Sequence, residues 1–565
     1  MPTRRERAAH PLVLGGLILV FFLQMFTASP IKSPVFDEPA HIGAGMSYFK
    51  TGEFKVNPQH PPLLKEIGAL PLVLSGTRFP VTPEAWKDIG DRPPAFYQWQ
   101  LGRDIIFDNG PDRVMFWSRL PFILMSVLLA ALIVAWGRGL FGATAAAGAL
   151  LLYAFDPTIV AHGPLVATDS GFAVFTVLFL FALWRYLNHR SLNRLLQSGI
   201  ALGLVLATKF TAVVLLPVAL ALLIGAVLWV PAVVPLRRST LIDPLASEDV
   251  GRRLLFCLYA FLAMSLLAAL VIEASYFLPR NPFLYLDGFR RINADHDPTY
   301  SAFMAGRFAP HFDTYYVVCY LLKEPLPAIL LTVVGAWALL RRGALATMDR
   351  AFLFLPPAIV LLAYSLYSDN LGFRYMIPAL PFLHLVGGAG LAFLLKEGRA
   401  WRRACAAVLC LWMGLAGTAI YPDHLSYFNE MACALAAPKL TGLDGGWRCG
   451  PLWLDDSNVD WGQGMKQLRT WLLAHPTRQP LRLGYFGSIA PQYYGIEALA
   501  VQSDDLQGAP APGRYALSAH IVARTIGRLR QQFGDGPGNW LLHARPVAVV
   551  GRAYYIYDIP EPTIR

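Results

Sequence analysis

The sequence predicts an all-α polytopic membrane protein of about 11 transmembrane helices, with a C-terminal extracytoplasmic α/β domain. Three observations lead there. First, 55% of the 565 residues are hydrophobic, only 15% are charged, and the mean hydropathy is +0.44. An average soluble domain has about 25% charged residues, so a water-soluble globule of this composition could not cover its own core. Disorder, collagen-like and coiled-coil chains are excluded by the same figures. Second, apolar runs of spanning length recur from near the N-terminus to residue 421. Third, polar residues and short β-rich runs take over after that point.

A span takes about 20 mostly apolar residues. Eleven runs qualify: 11–29, 114–136, 142–160, 169–188, 195–208, 210–234, 253–278, 325–341, 351–367, 376–396 and 402–421. The fifth is short and meets the sixth at Thr208-Lys209-Phe210, as a hairpin or a broken helix. The first follows Arg4, Arg5 and Arg7 and stays apolar for a full span. It lacks a convincing small-residue cleavage site and reads as an uncleaved helix.

Orientation follows from Lys and Arg in short loops. With the N-terminus in the cytoplasm, segments 1–10, 137–141, 185–195, 235–253, 341–350 and 396–403 face inward. They hold 18 Lys and Arg against 6 Asp and Glu. The formal net charge of +11 is therefore a topology signal and no reason to expect nucleic acid. The outer face receives loops 30–113 and 279–324, short loops near 161–168 and 368–375, and the tail. The expected organisation is a membrane domain over 1–421 and an outer domain over 422–565, in the inner (plasma) membrane.

The tail shows β-rich runs at 451–455, 481–486, 513–518 and 545–558, separated by amphipathic stretches at 463–474 and 520–533. None of the six cysteines has CxxC spacing, which argues against zinc. Cys433 and Cys449 lie close together outside the membrane, where a disulfide is open to them.

Loop 30–113 is too long for a connector. It opens Phe36-Asp37-Glu38-Pro39-Ala40-His41, with two carboxylates one turn beyond the first helix. A carboxylate there could take a proton from an acceptor hydroxyl, or the segment could simply cap an interfacial helix. Next comes Asn57-Pro58-Gln59-His60-Pro61-Pro62-Leu63-Leu64-Lys65, then a short amphipathic helix to about Leu74. His60 and Lys65 fall where a lipid phosphate would sit; the alternative is a snorkelling Lys beside an ordinary loop His. Asp156, His162 and Asp169 crowd the second outer turn, and Arg119 lies at the same level. Several ionisable groups at one face of a membrane suggest a shared polar cavity.

These blocks resemble the dolichyl-phosphate-mannose protein mannosyltransferases and, more closely, bacterial family 39 glycosyltransferases. Further matching blocks are Thr208-Lys209-Phe210-Thr211, Leu322-Lys323-Glu324-Pro325-Leu326-Pro327, Arg374-Tyr375-Met376-Ile377-Pro378 and Asp456-Ser457-Asn458-Val459-Asp460-Trp461-Gly462-Gln463. The resemblance implies a GT-C fold and transfer of a mannose-like sugar from a polyprenyl-phosphate donor to an acceptor hydroxyl. It implies catalytic roles for Asp37, its neighbour Glu38, and Asp169. The donor phosphate is matched by Lys65 and Arg374, then by His60 and Lys323, with Arg119 and Tyr375 beside them. His162, Asp456, Asn458, Asp460 and Trp461 are candidates for sugar or acceptor contact, and Tyr315 and Tyr316 for sugar stacking.

The implied partners are a polyprenyl-phosphate sugar, an acceptor protein, glycolipid or glycan, and the bilayer. No metal ligand is assigned. Many relatives carry Glu where this chain has Gln59, which leaves a divalent cation open but unplaced. Nucleotide sugars are cytoplasmic, so chemistry on the outer face needs a lipid-carried donor.

Two other signals carry less. Asp295-His296-Asp297 contains a DxD, but in an outer loop. Asp456, Asn458 and Asp460 imitate a calcium loop whose glycine comes one place late, with Gln467 at the twelfth position. A transporter or flippase is the alternative function. It calls for charges near the midplane and two related halves, whereas the charges here gather at helix ends.

Overall fold

The computed structural model describes residues 4–229, 249–292, 299–342, 345–396, 399–435 and 449–560. It is mostly helical, with a small sheet toward the C-terminus. Asp295-His296-Asp297 lies outside the described residues.

Over the described residues each of the eleven apolar runs is largely helical, with two breaks. The third run divides at Asp156 into helices Ala143–Phe155 and Pro157–His162. At the fifth and sixth, helix Leu192–Leu206 ends before Lys209, and a 3-10 turn over Phe210–Val214 leads into helix Leu215–Trp229. Among the described residues, six helices are long and apolar enough to cross a membrane singly, and Ala143–Phe155, Leu192–Leu206 and Leu380–Lys396 are shorter apolar helices. Helices Tyr315–Lys323 and Leu326–Arg342 meet at a bend of 111°, at Glu324-Pro325. Proline lacks the donor needed to continue a helix and restricts the residue before it.

Small residues set the helix packing, as expected where lipid removes the hydrophobic drive between helices. A Cβ on Gly335 would lie 1.9 Å from the Val386 carbonyl oxygen, and one on Gly388 would lie 2.3 Å from that of Ala145. Helices 143–155, 326–342 and 380–396 therefore touch backbone to backbone.

Loop 30–113 is itself helical. It contains helices Glu38–Thr51, Leu63–Leu74, Pro83–Asp88 and Tyr97–Asp108 around their own apolar core. Gly102 lets two of them meet, since a Cβ there would lie 1.7 Å from the Pro39 carbonyl oxygen. The helix that follows Asp37 is thereby pressed against the rest of the loop.

The tail carries a five-stranded mixed sheet. In spatial order its strands are Leu499–Ala500, Leu481–Gly484, Gly513–Ser518, Tyr554–Ile559 and Ala548–Val550. The first three run parallel, and the last two pair antiparallel. Helices Met465–Ala474 and Ala519–Phe533 match the amphipathic stretches. The run at 451–455 is not a strand. Its first two residues belong to the 3-10 turn Gly450–Leu452, a second 3-10 turn follows at Asp456–Asn458, and Leu454 makes a single bridge to Met304. Asp456 there adopts φ 56°, which a regular strand does not accommodate.

Cys433 and Cys449 are disulfide-bonded, leaving Cys257, Cys319, Cys405 and Cys410 free. Alkylation of the denatured, unreduced protein should therefore label four cysteines, and six after reduction. Mass spectrometry reads the count, and six labels without reductant would disprove the pairing.

Candidate active site

Asp37 precedes helix Glu38–Thr51, but its side chain makes no cap hydrogen bond, so the carboxylate is not used to start the helix. It turns instead to Arg374, whose Nη1 lies 2.9 Å from Asp37 Oδ2. The same Nη1 is 3.6 Å from Oδ2 of Asp169, at the N-terminal end of helix Thr168–Asn188. Asp169 Oδ1 accepts a hydrogen bond of 2.6 Å from Lys209 Nζ. Four charges, from the first loop, the second outer turn, the break before 210 and the loop before 376, thus form one network. The Asp37 side chain is 29% exposed and that of Asp169 only 4%, so Asp37 is the more accessible of the two acids.

Aromatic rings frame the cations. Arg374 lies over the Trp461 ring, 4.2 Å from its centroid, and Lys209 over the Tyr375 ring at 4.3 Å. Such contacts favour a cation by about 0.5–2 kcal/mol, more when desolvated. Burial opposes the charge on Arg374, but Asp37, Tyr375 and Asp169 together raise its pKa. Its Nε is buried and has no hydrogen-bond partner among the described residues. A guanidinium N–H without an acceptor is available to donate to an oxyanion.

The neighbouring histidines are neutral. Burial lowers His41 to about 4, overcoming the nearby Asp37, and lowers His162 to about 4. His60 is also driven well below its ordinary value by burial, and its ring lies 5.4 Å from that of His41. His162 Nδ1 approaches the Thr158 carbonyl at 2.9 Å, while its Nε2 has no partner among the described residues. None of the three supplies a cation to the site.

Several residues expected in the reacting group are placed elsewhere. Glu38 and Arg119 bind each other, with contacts of 2.8 and 2.6 Å. Arg119 also donates to the carbonyls of Ser29, Lys32 and Ser33, and Glu38 accepts from the amides of Val35 and Val166. This buried pair holds the loop that presents Asp37. Lys65 is turned inward, donating to Tyr48 Oη, both oxygens of Asn57 and the His60 carbonyl at 2.7–3.1 Å. An ammonium has three protons, so none is left for a phosphate. Lys323 donates to the carbonyls of Leu425 and Asn458 at 2.8 and 2.6 Å.

In the tail block, Asn458 Oδ1 accepts from the Phe373 amide, next to Arg374, and its Nδ2 donates to Tyr315 Oη. Asp456 accepts from Tyr300 Oη, and Asp460 from Ser518 Oγ and the Gly462 amide. These side chains diverge rather than converge on one point. Tyr315 and Tyr316 are fully buried and offer no face to a sugar. Trp461 stands in the site as the platform under Arg374. Gln59 and Asn57 both donate to Gln98 Oε1. A cavity of about 260 Å³ opens beside them, lined also by Lys55, Arg92 and Arg291.

Lys209 and His41 were absent from the expected site. The signal for Lys209 was a lone charge inside an apolar stretch, where a partner is obligatory. That for His41 was its place one turn after Asp37 in the first block.

Residues 93–240 match the family model described as dolichyl-phosphate-mannose-protein mannosyltransferase. The match includes Arg119, His162, Asp169 and Lys209, and leaves out Asp37 and Arg374. The resemblance carried by the motifs is thus met by a family model over that part of the chain. No curated protein matches the chain. Solved structures that match include ArnT from Cupriavidus metallidurans in the apo state, at 13% identity over 99% of this chain and 100% of that one, with a TM-score of 0.49. The same protein bound to undecaprenyl phosphate matches at 13% identity over 98% and 99%, TM-score 0.47. Archaeal oligosaccharyltransferase AglB from Archaeoglobus fulgidus, in complex with an inhibitory peptide and a dolichol-phosphate, matches at 11% identity over 86% and 63%, TM-score 0.46.

Removing one partner of a buried ion pair costs about 3–5 kcal/mol. Arg119→Ala should accordingly lower the melting temperature sharply in detergent. The double variant Glu38→Gln/Arg119→Met should recover part of the loss. A single variant that melts like the parent would show that the pair does not hold the loop.

Proposed function

We propose that this chain is an integral-membrane glycosyltransferase of the GT-C type. It moves a sugar from a polyprenyl-phosphate donor to an acceptor hydroxyl on the outer face of the membrane. The observation that carries this reading is the Asp37–Arg374–Asp169–Lys209 network, with its exposed carboxylate and the open Nε of Arg374. A sugar phosphate presents two demands. The leaving phosphate gains charge and needs cations already in place, which Arg374 and Lys209 supply. The acceptor hydroxyl must lose a proton, which Asp37 takes as general base. If base and phosphate lie on opposite sides of the anomeric carbon, the transfer inverts it. Asp169 is the positioning acid that holds both cations.

The motif blocks and the family match over 93–240 support the same reading. A transporter is less well supported. Lys209, the charge deepest in an apolar stretch, lies at a helix break and pairs with Asp169 in the first turn of its helix. It does not stand alone at mid-helix. The sugar, the prenyl chain and the choice among protein, glycolipid and glycan acceptors are not specified by these residues.

Asp37→Asn should reduce transfer by about 10²–10⁴-fold, the usual contribution of a general base, with membrane abundance unchanged. The assay is turnover of purified protein with polyprenyl-phosphate sugars extracted from a deletion strain. Parent-like turnover of the variant would remove Asp37 from its role. For orientation, a phosphatase fused to the C-terminus should be active, because the tail faces outward. An inactive phosphatase together with an active cytoplasmic reporter at the same position would invert the topology.

A further inference from the structure

Asp156, Glu324 and His384 form a second buried polar group, outside the network just described. They are 0%, 2% and 1% exposed. Asp156 sits at the break between helices 143–155 and 157–162, and its Oδ1 caps the second by accepting from the amides of Thr158 and Ile159. Its Oδ2 has no hydrogen-bond partner among the described residues. Glu324 stands at the corner of the bent helix pair, and its Oε1 is likewise without a partner. His384 lies in the second turn of helix Leu380–Lys396, and neither ring nitrogen has a hydrogen-bond partner among the described residues.

The spacing is informative. His384 Nε2 is 3.2 Å from Asp156 Oδ2, yet the two make no hydrogen bond. Two ligands each about 2.0–2.2 Å from a shared metal stand at that separation. One ligand atom from each of the three residues lies within 4.8 Å of the others, and no other trio of His, Cys, Asp or Glu among the described residues converges in this way. Two buried carboxylates side by side repel each other, and an imidazole with both nitrogens open is unfavourable in the same place. A cation between them relieves the repulsion and gives His384 Nε2 a partner.

We propose that Asp156, Glu324 and His384 bind a divalent transition-metal ion, with Zn²⁺ the best match. One imidazole and two carboxylates supply three of the four positions of a small tetrahedral ion, the fourth falling to a second carboxylate oxygen or a water, whereas Ca²⁺ and Mg²⁺ take six or more oxygen ligands. The ion is structural. It ties the 156 break, the 324 corner and helix 380–396 together. Lys323, next to Glu324, holds the Leu425 and Asn458 carbonyls, and Asn429 Nδ2 donates to the Glu324 carbonyl at 2.7 Å. The assignment does not depend on the proposed reaction, and its test does not use activity.

The full chain is purified in detergent, freed of any affinity tag, and analysed for metals by mass spectrometry. It is then stripped with a chelator and reloaded with Zn²⁺. About one Zn²⁺ per chain is expected after reloading, with a melting temperature that falls on stripping and recovers on reloading. His384→Gln and, separately, Glu324→Gln should lose most of the bound Zn²⁺ and the response to chelator. The stripping and reloading of the parent chain stands even if both variants fold poorly. Failure of the parent chain to take up Zn²⁺ would overturn the site in favour of a proton shared between the carboxylates. Full Zn²⁺ occupancy in His384→Gln would place the ion elsewhere and equally overturn it.

Discussion

A charge removed from water must meet an opposite charge or enough dipoles, or it destabilises the fold. This chain buries many charges near its helix ends, and several are met by a segment far away in sequence. Arg119 meets Glu38 across 81 residues, Lys209 meets Asp169 across 40, and Arg374 meets Asp37 across 337. These requirements fix how the segments come together more tightly than apolar contact could. Leu and Val surfaces slide past one another with little penalty, whereas a guanidinium has one position in which its donors are all answered. The Glu38–Arg119 pair shows the effect most directly. It takes up three backbone carbonyls and two amides as well as the partner charge, so the stretch from Ser29 to Glu38 has a defined path. Asp37, in the middle of that path, inherits its position.

The beginning of the tail works as a cover to the same network. The Phe36 amide donates to the Trp461 carbonyl, and the Ser33 amide to that of Gln463. Asn458 binds the Phe373 amide and Lys323, and Ser457 Oγ donates to the Leu371 carbonyl. The short stretch 457–463 therefore touches the loop that carries Asp37 and the loop that carries Arg374. Behind it, Asp460 is tied to Ser518, at the end of a central strand, and Asp455 to Arg524 at 2.8 Å. Burial raises the Asp455 carboxyl to about 7 in spite of that guanidinium. The sheet domain thus backs the segment that carries Trp461, the platform under Arg374.

The helices were legible because their signal is local: a long apolar run states its own length and nature. The break at Lys209 is legible as the junction of two runs, whereas the division of run 142–160 at Asp156 and the bend at Glu324-Pro325 emerge only in the structure. What could not be read was which charge answers which. Asp37 and Glu38 are adjacent carboxylates of the same kind, yet one is half-open to solvent and the other is sealed against Arg119. Nothing in the dipeptide distinguishes them, because the distinction comes from a residue 81 positions away. Lys65 and Lys209 were misjudged for a similar reason. Lys65 lies in a polar motif and looks available, but its own loop folds four oxygens around it. The run at 451–455 differs in another way, since its first two residues are taken into the 3-10 turn Gly450–Leu452 and only Leu454 makes a bridge.

The inventory of cations then narrows what the network can do. Arg119, Lys65 and Lys323 are taken by internal oxygens, and the three nearby histidines are neutral. Arg374 and Lys209 remain, balanced by Asp37 and Asp169, so the formal charge of the four is zero. A phosphate brought to this group must compete with a carboxylate for a cation. Asp169 is buried and held by both cations, while Asp37 is the exposed partner with a single guanidinium contact. Under the proposed reaction the phosphate would draw Arg374 toward itself and loosen its hold on Asp37. A carboxylate released from its counter-ion is a stronger base. Donor binding and activation of the base would then be two consequences of one displacement, and an acceptor arriving before the donor would find Asp37 still neutralised.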